Sequence, residues 1–239
     1  MHDIRYNPVR DEFVVANPFA NAILTFRGGA TGQEPPIRII QGSKTRLEGP
    51  QRFGLDSTRG EILVDGDGGT LIFPVDAQGD VAPKYIIPDG PRDTIEVDPI
   101  HNLLVDTAGE SLRIWERTGP DSVRLRNVIK GPKTGIDTPR IAIYPEGNVI
   151  VVGMRGPGVM EPKGIFVGAW SLDDNGDVPP RWKIDKTMLK PFAVALNPQQ
   201  KEVYVTDMRM NGVLTYYFPE VFEPRSPAPR TAQANAQGR

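Results

Sequence analysis

Residues 53–87 contain four short apolar runs: Phe53-Gly54-Leu55-Asp56, Glu61-Ile62-Leu63-Val64-Asp65, Thr70-Leu71-Ile72-Phe73 and Pro83-Lys84-Tyr85-Ile86-Ile87. Gly, Asp, Ser and Pro separate them, the residues that set turns. The second run is aliphatic and β-branched with no polar face, the pattern of a strand buried on both sides. The fourth mixes a basic residue into its apolar positions behind a Pro. That suits an outer strand, where Pro loses no ladder hydrogen bond and charge discourages further pairing. Four antiparallel strands follow from this stretch, with the second innermost in burial and the fourth at an edge.

The same order recurs on either side. First runs are Ile4-Arg5-Tyr6-Asn7-Pro8, Ile95-Glu96-Val97-Asp98-Pro99, Ile141-Ala142-Ile143-Tyr144-Pro145 and Val194-Ala195-Leu196-Asn197-Pro198. Second runs are Glu12-Phe13-Val14-Val15-Ala16-Asn17, Asn102-Leu103-Leu104-Val105-Asp106, Asn148-Val149-Ile150-Val151-Val152 and Glu202-Val203-Tyr204-Val205-Thr206-Asp207. Third runs are Ala22–Phe26, Ser111–Trp115, Gly164–Val167 and Val213–Phe218; fourth runs are Pro36–Ile40, Val123–Arg126 and Pro180–Ile184. Steps between Asn7, Asp56, Asp98, Tyr144 and Asn197 are 49, 42, 46 and 53 residues. A repeat of this size built from four strands is a propeller blade. A sandwich would alternate in most strands and has no reason to repeat. The expected fold is an all-β propeller of about five four-stranded blades, spanning 3–50, 51–92, 93–138, 139–190 and 191–218.

The fifth blade has only three runs, and no spare strand precedes Ile4. Two readings follow: a five-bladed ring with an imperfect last blade, or a six-bladed ring lacking an N-terminal blade. Residues 219–239 are rich in Pro, Ala and Gln and are expected to form a disordered tail. The composition agrees with the strand reading. The 239 residues include 25 Gly and 24 Pro, spread along the chain, which excludes a helical bundle. There is no Cys, so disulfides and thiolate chemistry are excluded. A net charge of −2 with interspersed signs leaves no nucleic-acid footprint. Val149–Val152 is far too short for a membrane span, and Met1–Arg5 has no apolar signal region.

In a propeller, the loop leaving each second strand and the loop entering each first strand open on one face. Asn17, Asp65, Asp106, Gly153 and Asp207 close the second strands, at what reads as one point of the repeat. Arg52, Arg92 and Arg140 lie in the loops that enter first strands. Asn17, Asp65, Asp106, Asp207 and the three arginines are therefore the candidate ligand-binding residues of the channel face. The simpler expectation is that each Asx side chain bonds its own loop and that the arginines pair with Asp65 and Asp106 between blades. No metal or other cofactor is expected on that reading. The alternative places Ca²⁺ or another divalent cation on Asp65, Asp106 and Asp207. The string Asp65-Gly66-Asp67-Gly68-Gly69-Thr70 does not complete a calcium loop. Asn175-Gly176 reads as a hairpin turn between third and fourth strands, as do Gln78-Gly79-Asp80 and Thr31-Gly32-Gln33. With only His2 and His101 present, no His-based triad or zinc site is expected.

One string is repeated closely. Ile40-Gln41-Gly42-Ser43-Lys44-Thr45-Arg46-Leu47 is matched by Ile129-Lys130-Gly131-Pro132-Lys133-Thr134-Gly135-Ile136, each followed by Pro (Pro50, Pro139) and a first strand. With Val15-Ala16-Asn17, these strings resemble the NHL/YVTN-type bacterial β-propeller repeat proteins over residues 3–218. The resemblance implies a binding or scaffold module, outside the cell or in the periplasm, that recognises a protein, peptide or glycan through its loop face. A cytoplasmic location is also open, and oligomeric state is not specified. The competing class is a metal-dependent hydrolase resembling the lactonase and gluconolactonase propellers, although their motif is not matched residue by residue.

Overall fold

The computed structural model describes residues 2–137, 139–154, 164–185 and 187–223. Five antiparallel sheets follow one another around a common channel, each formed from consecutive strands. The first holds β1 (Asp3–Asn7), β2 (Glu12–Asn17), β3 (Ala22–Arg27) and β4 (Arg38–Gln41). The second holds β5 (Phe53–Asp56), β6 (Glu61–Gly66), β7 (Gly69–Pro74) and β8 (Tyr85–Ile87). The third holds β9 (Ile95–Asp98), β10 (Leu103–Thr107), β11 (Ser111–Arg117) and β12 (Val123–Lys130). The fourth holds β13 (Pro139–Tyr144), β14 (Val149–Met154), β15 (Phe166–Ser171) and β16 (Trp182–Ile184). The fifth has three strands among the described residues: β17 (Pro191–Asn197), β18 (Glu202–Asp207) and β19 (Gly212–Tyr217).

The first hairpin of every blade has the same build. Pairs Asn7↔Glu12, Asp56↔Glu61, Asp98↔Leu103, Tyr144↔Val149 and Asn197↔Glu202 each close a loop of four residues. The last loop residue is left-handed each time, at Asp11, Gly60, Asn102, Asn148 and Lys201. The Asx that ends the first strand then accepts from its own loop. Val9 N donates to Asn7 Oδ1 at 3.1 Å, Arg59 N to Asp56 Oδ1 at 2.8 Å, and Ile100 N to Asp98 Oδ1 at 2.9 Å. This is why Asp or Asn recurs there: its side chain supplies the acceptor that fixes the turn.

Blades pack face to face through four buried clusters, between 1 and 2, 2 and 3, 3 and 4, and 4 and 5. Trp115, Trp170 and Trp182 each sit in or against one of them. A buried ion pair adds to the second junction. Arg117 of β11 donates to Glu61 Oε2 at 2.8 Å and to Asp56 Oδ2 at 3.3 Å across blades.

The repeated string forms a clasp between blades 1 and 2 and again between 3 and 4. Lys44 N donates to Asp80 Oδ1 and Lys133 N to Asp177 Oδ1, both at 2.7 Å. Gly42 and Gly131 have φ of 132° and 135°, and a Cβ there would fall 2.3 and 2.5 Å from those carboxyl carbons. Only glycine fits both conditions. Thr45 and Thr134 hydroxyls donate to the carbonyls of Gly42 and Gly131, both at 2.7 Å.

Three expectations need revision. Asn175-Gly176 and Gln78-Gly79 do not form tight hairpins. Gly79 and Gly176 instead make parallel bridges to Ile40 and Ile129 of the preceding blade, so the loops between third and fourth strands serve the blade junction. The outer strands begin later than the Pro that precedes them, at Arg38, Tyr85 and Trp182, and β12 continues to Lys130. Residues 219–223, expected in the tail, are ordered by packing: α1 (Pro219–Phe222) buries Val221 and Phe222 against blades 4 and 5, and Phe222 meets the Tyr144 ring at 5.3 Å. Residues 224–239 lie outside the described residues.

Candidate functional site: the channel mouth

The constant hairpin gives a ruler. Counting the second strand from its hairpin pair, the fifth residues are Ala16, Asp65, Thr107, Gly153 and Thr206. Asp3, Arg140 and Ala193 pair with their counterparts on the first strands, and Arg52 and Thr94, one residue ahead of β5 and β9, continue the same level. All five line one cavity of about 690 Å³, so this level is a ring around the channel mouth. Two residues deeper the ring is Arg5, Gly54, Glu96, Ala142 and Ala195. Alternation along a strand brings every second residue to the same side, which is why the two rings are two residues apart.

The deeper ring carries an ion pair. Arg5 Nη1 lies 2.6 Å from Glu96 Oε1, joining blade 1 to blade 3 past Gly54. A Cβ at Gly54 would meet the Ile95 side chain at 3.1 Å and its carbonyl at 3.2 Å. Burial pushes the Glu96 carboxyl up, and the Arg5 charge pulls it back only in part. Burial acts against the Arg5 charge as well, but Glu96 and Asp3 outweigh it and hold the guanidinium protonated above its ordinary range. Ala142 and Ala195 leave the other side of this ring open.

In the mouth ring, Asp3 Oδ2 accepts from Arg5 Nε and from Phe53 N, both at 3.3 Å. Arg52 pairs with Asp93. Arg140 donates to the Pro139 carbonyl at 2.9 Å and lies over the Phe192 ring at 5.5 Å. Thr94 differs from the rest. It is 3% exposed, and its hydroxyl has no hydrogen-bond partner although it lines the cavity. A buried hydroxyl without a partner costs about 1–3 kcal/mol, so Thr94 is a polar group in this ring that the fold leaves unsatisfied.

The other candidate residues fall apart into separate places. Asn17, Asp65, Asp106 and Asp207 are not one point of the repeat. Counted from the hairpin they are sixth, fifth, fourth and sixth residues of their strands. A one-residue slip turns a side chain to the opposite face, so Asp65 faces away from the side that the others take. Asn17 Oδ1 accepts from Ala20 N at 3.3 Å within its own turn. Asp106 is fully buried; it accepts from Arg92 N at 2.7 Å, Arg113 Nε at 2.9 Å and Trp115 Nε1 at 3.0 Å. Asp207 accepts four backbone N–H groups, from Leu189, Lys190, Arg209 and Met210, at 2.7 to 2.9 Å. Burial alone would raise its carboxyl, but these four donors leave it below the usual carboxylate range.

Asp65 does meet the arginines. Its Oδ1 accepts from Arg92 Nη1 at 2.7 Å and its Oδ2 from Asp93 N at 3.2 Å, across the junction of blades 2 and 3. With Glu48, Gln51, Arg52 and Asp93 they line a polar pocket of about 260 Å³ beside the mouth, and Arg52 borders both cavities. Asp65, Asp106 and Asp207 therefore do not converge as a shared cation site. Among the described residues no three His, Asp or Glu side chains are grouped to hold a metal ion. Asp3 and Arg5, on the first strand of blade 1, and Thr94, just ahead of β9, were missed in the sequence; counting back from the hairpin would have found them.

No family model matches the sequence, and no curated protein matches it. Solved structures do match. One is the β-propeller domain of Myceliophteria thermophila Cps50 (Swd1), with 10% identity, a TM-score of 0.58, and coverage of 86% of this chain and 62% of that one. Another is a chain of the nidogen/laminin complex, with 13% identity, a TM-score of 0.61, and coverage of 91% and 76%. The chain thus spans less than two thirds of the Cps50 propeller domain it is similar to. At this identity the likeness establishes the β-propeller fold. No helix among the described residues is long and apolar enough to cross a membrane.

Proposed function

We propose that this chain is a non-enzymatic binding module that takes a segment of a protein partner at the channel mouth, with an acidic side chain of that segment entering the cavity. The observation that carries the reading is the buried, unpartnered Thr94 hydroxyl beside Arg140 in a cavity of about 690 Å³. A hydroxyl and a guanidinium are the groups that bind a carboxylate by charge-assisted hydrogen bonds. Phe192, Ile141 and Val194 add an apolar wall for the side chain's stem. The cavity is the size of an ordinary ligand site. The match to a chain of the nidogen/laminin complex supports a role in protein assembly, by analogy of fold. The repeated strings Ile40–Leu47 and Ile129–Ile136 support an NHL/YVTN-type relationship, and with it a place in the bacterial envelope or outside the cell.

The test is a peptide-array screen followed by titration of the best binders into the protein and into Thr94→Val and Arg140→Gln. Binders rich in Asp or Glu that weaken tenfold or more in both variants, about 1.4 kcal/mol each, support the reading. Binders indifferent to both substitutions overturn it. No observation favours the metal-dependent hydrolase, because its three carboxylates are held apart by backbone and arginine donors.

A further inference from the structure

Among the described residues, nothing covers one sheet face of blade 5 and one sheet face of blade 1. The register makes the comparison direct. Val213 of β19 occupies the position held by Ile23, Thr70, Leu112 and Val167 in blades 1 to 4. Those four are 0%, 0%, 0% and 1% exposed; Val213 is 64% exposed. On the opposite flank, Ile4 of β1 stands where Phe53, Ile95 and Ile141 stand in blades 2 to 4. Those are 0%, 0% and 4% exposed, and Ile4 is 61% exposed. Tyr6, on the face of Ile4, is 49% exposed, whereas Leu55, Val97 and Ile143 at its position in blades 2 to 4 are half-buried. The second strand of blade 5 alternates between buried and accessible residues, whereas β10 and β14 are buried throughout.

Two further observations point to the same flank. Among the described residues β19 has no fourth strand beside it, although β3, β7, β11 and β15 each have one. The channel cavity also runs out between Ile4 and Val15 of blade 1 and Ala193–Ala195 of blade 5. None of the four buried clusters joins these two blades.

We propose that the wedge between blade 5 and blade 1 is an interface for one further blade-like β-sheet, apolar on both faces and supplied by polypeptide outside residues 1–239. The argument is continuity with the existing interfaces. The open face of blade 5 is the face by which blades 1 to 4 receive the next blade. The open face of blade 1 is the face by which blades 2 to 5 receive the preceding one. Sheets stack at about 10 Å through such faces, and an uncovered pair flanking one wedge has the chemistry for a single twisted sheet between them. Exposed contiguous apolar surface of this kind marks an association site.

The chain has no Cys, so single thiols can report on each face. Ile4→Cys and Val213→Cys would be labelled with a maleimide in two forms of the protein. One is residues 1–239; the other carries a second copy of residues 139–190, a whole blade with its connection, joined ahead of Met1. Both thiols should react freely in the first form. In the second both should be protected about tenfold or more, since an interface residue reacts only through local opening, and the melting temperature should rise. Two outcomes overturn the proposal. In one, both thiols are already protected in residues 1–239, which means that this chain itself covers both faces. In the other, the added blade leaves both thiols as reactive as before, whether or not that blade folds.

Discussion

Replacing Arg117 by Met tests whether blade junctions depend on a buried charge. Arg117 sits at the end of β11 with 5% exposure, and its guanidinium reaches Glu61 at 2.8 Å and Asp56 at 3.3 Å in the preceding blade. Removing one partner of a buried pair leaves the other charge uncompensated and costs about 3–5 kcal/mol. Asp56 keeps its bonds from Arg59 N at 2.8 Å and Arg59 Nη1 at 3.0 Å, so the stranded charge is chiefly that of Glu61. The expected loss is therefore at the lower end, about 3 kcal/mol. Arg117→Met combined with Glu61→Leu removes both charges and fills the space with apolar groups. That pair should recover most of the loss and end within about 1 kcal/mol of the parent protein. Urea titrations followed by tryptophan fluorescence would give the four stabilities of the cycle. A loss below about 1 kcal/mol in Arg117→Met, or strict additivity in the double variant, would refute the reasoning.

Other outcomes follow from the same geometry. Thr94→Val should stabilise the folded chain by roughly 1 kcal/mol, because it removes a buried hydroxyl that has no partner; calorimetry showing a lower melting temperature would contradict this. Gly131→Ala should cost about 2 kcal/mol or more, through a left-handed backbone and a collision with Asp177, and Asp177→Ala should relieve only part of it, because the Asp177 Cβ itself would lie 2.6 Å from the new methyl. Asp207 has a depressed carboxyl, so the stability it contributes is full above its unfolded value of about 3.9 and is lost as pH falls through the folded value. Urea midpoints measured from pH 6 down to pH 2 should fall less steeply in Asp207→Asn than in the parent. Lys201 holds the left-handed position that Gly60 fills in blade 2; Lys201→Gly should be neutral or stabilising by up to about 1 kcal/mol.

The strands were legible because burial on both faces writes a short, dense apolar run, as in Ile62-Leu63-Val64 and Val149–Val152, and turn residues bound each run at repeating positions. The three-stranded fifth blade was legible for the same reason. The site was harder to read. A propeller site depends on register, and Asn17, Asp65 and Asp106 align by eye although they sit at three successive positions of the strand. A side chain's face reverses with each of those steps. Thr94 carries no signal of its own, since a lone Thr before a strand is ordinary; only its level in the ring and its missing partner set it apart. The helix over 219–222 was missed because two apolar residues after a Pro are too few to show a period, and tertiary packing against Tyr144 decides it. Gly79 and Gly176 read as local turns, yet they bond to a neighbouring blade 38 to 48 residues away in sequence.

The most direct test of the binding-module reading is methyl NMR on the threonine side chains during titration with an acidic peptide selected on the array, with the Thr94 signal assigned from Thr94→Val. The prediction is that the Thr94 methyl shifts in proportion to saturation while Thr45, buried in the clasp between blades 1 and 2, stays in place. A peptide that saturates the protein and leaves the Thr94 methyl unmoved would contradict it.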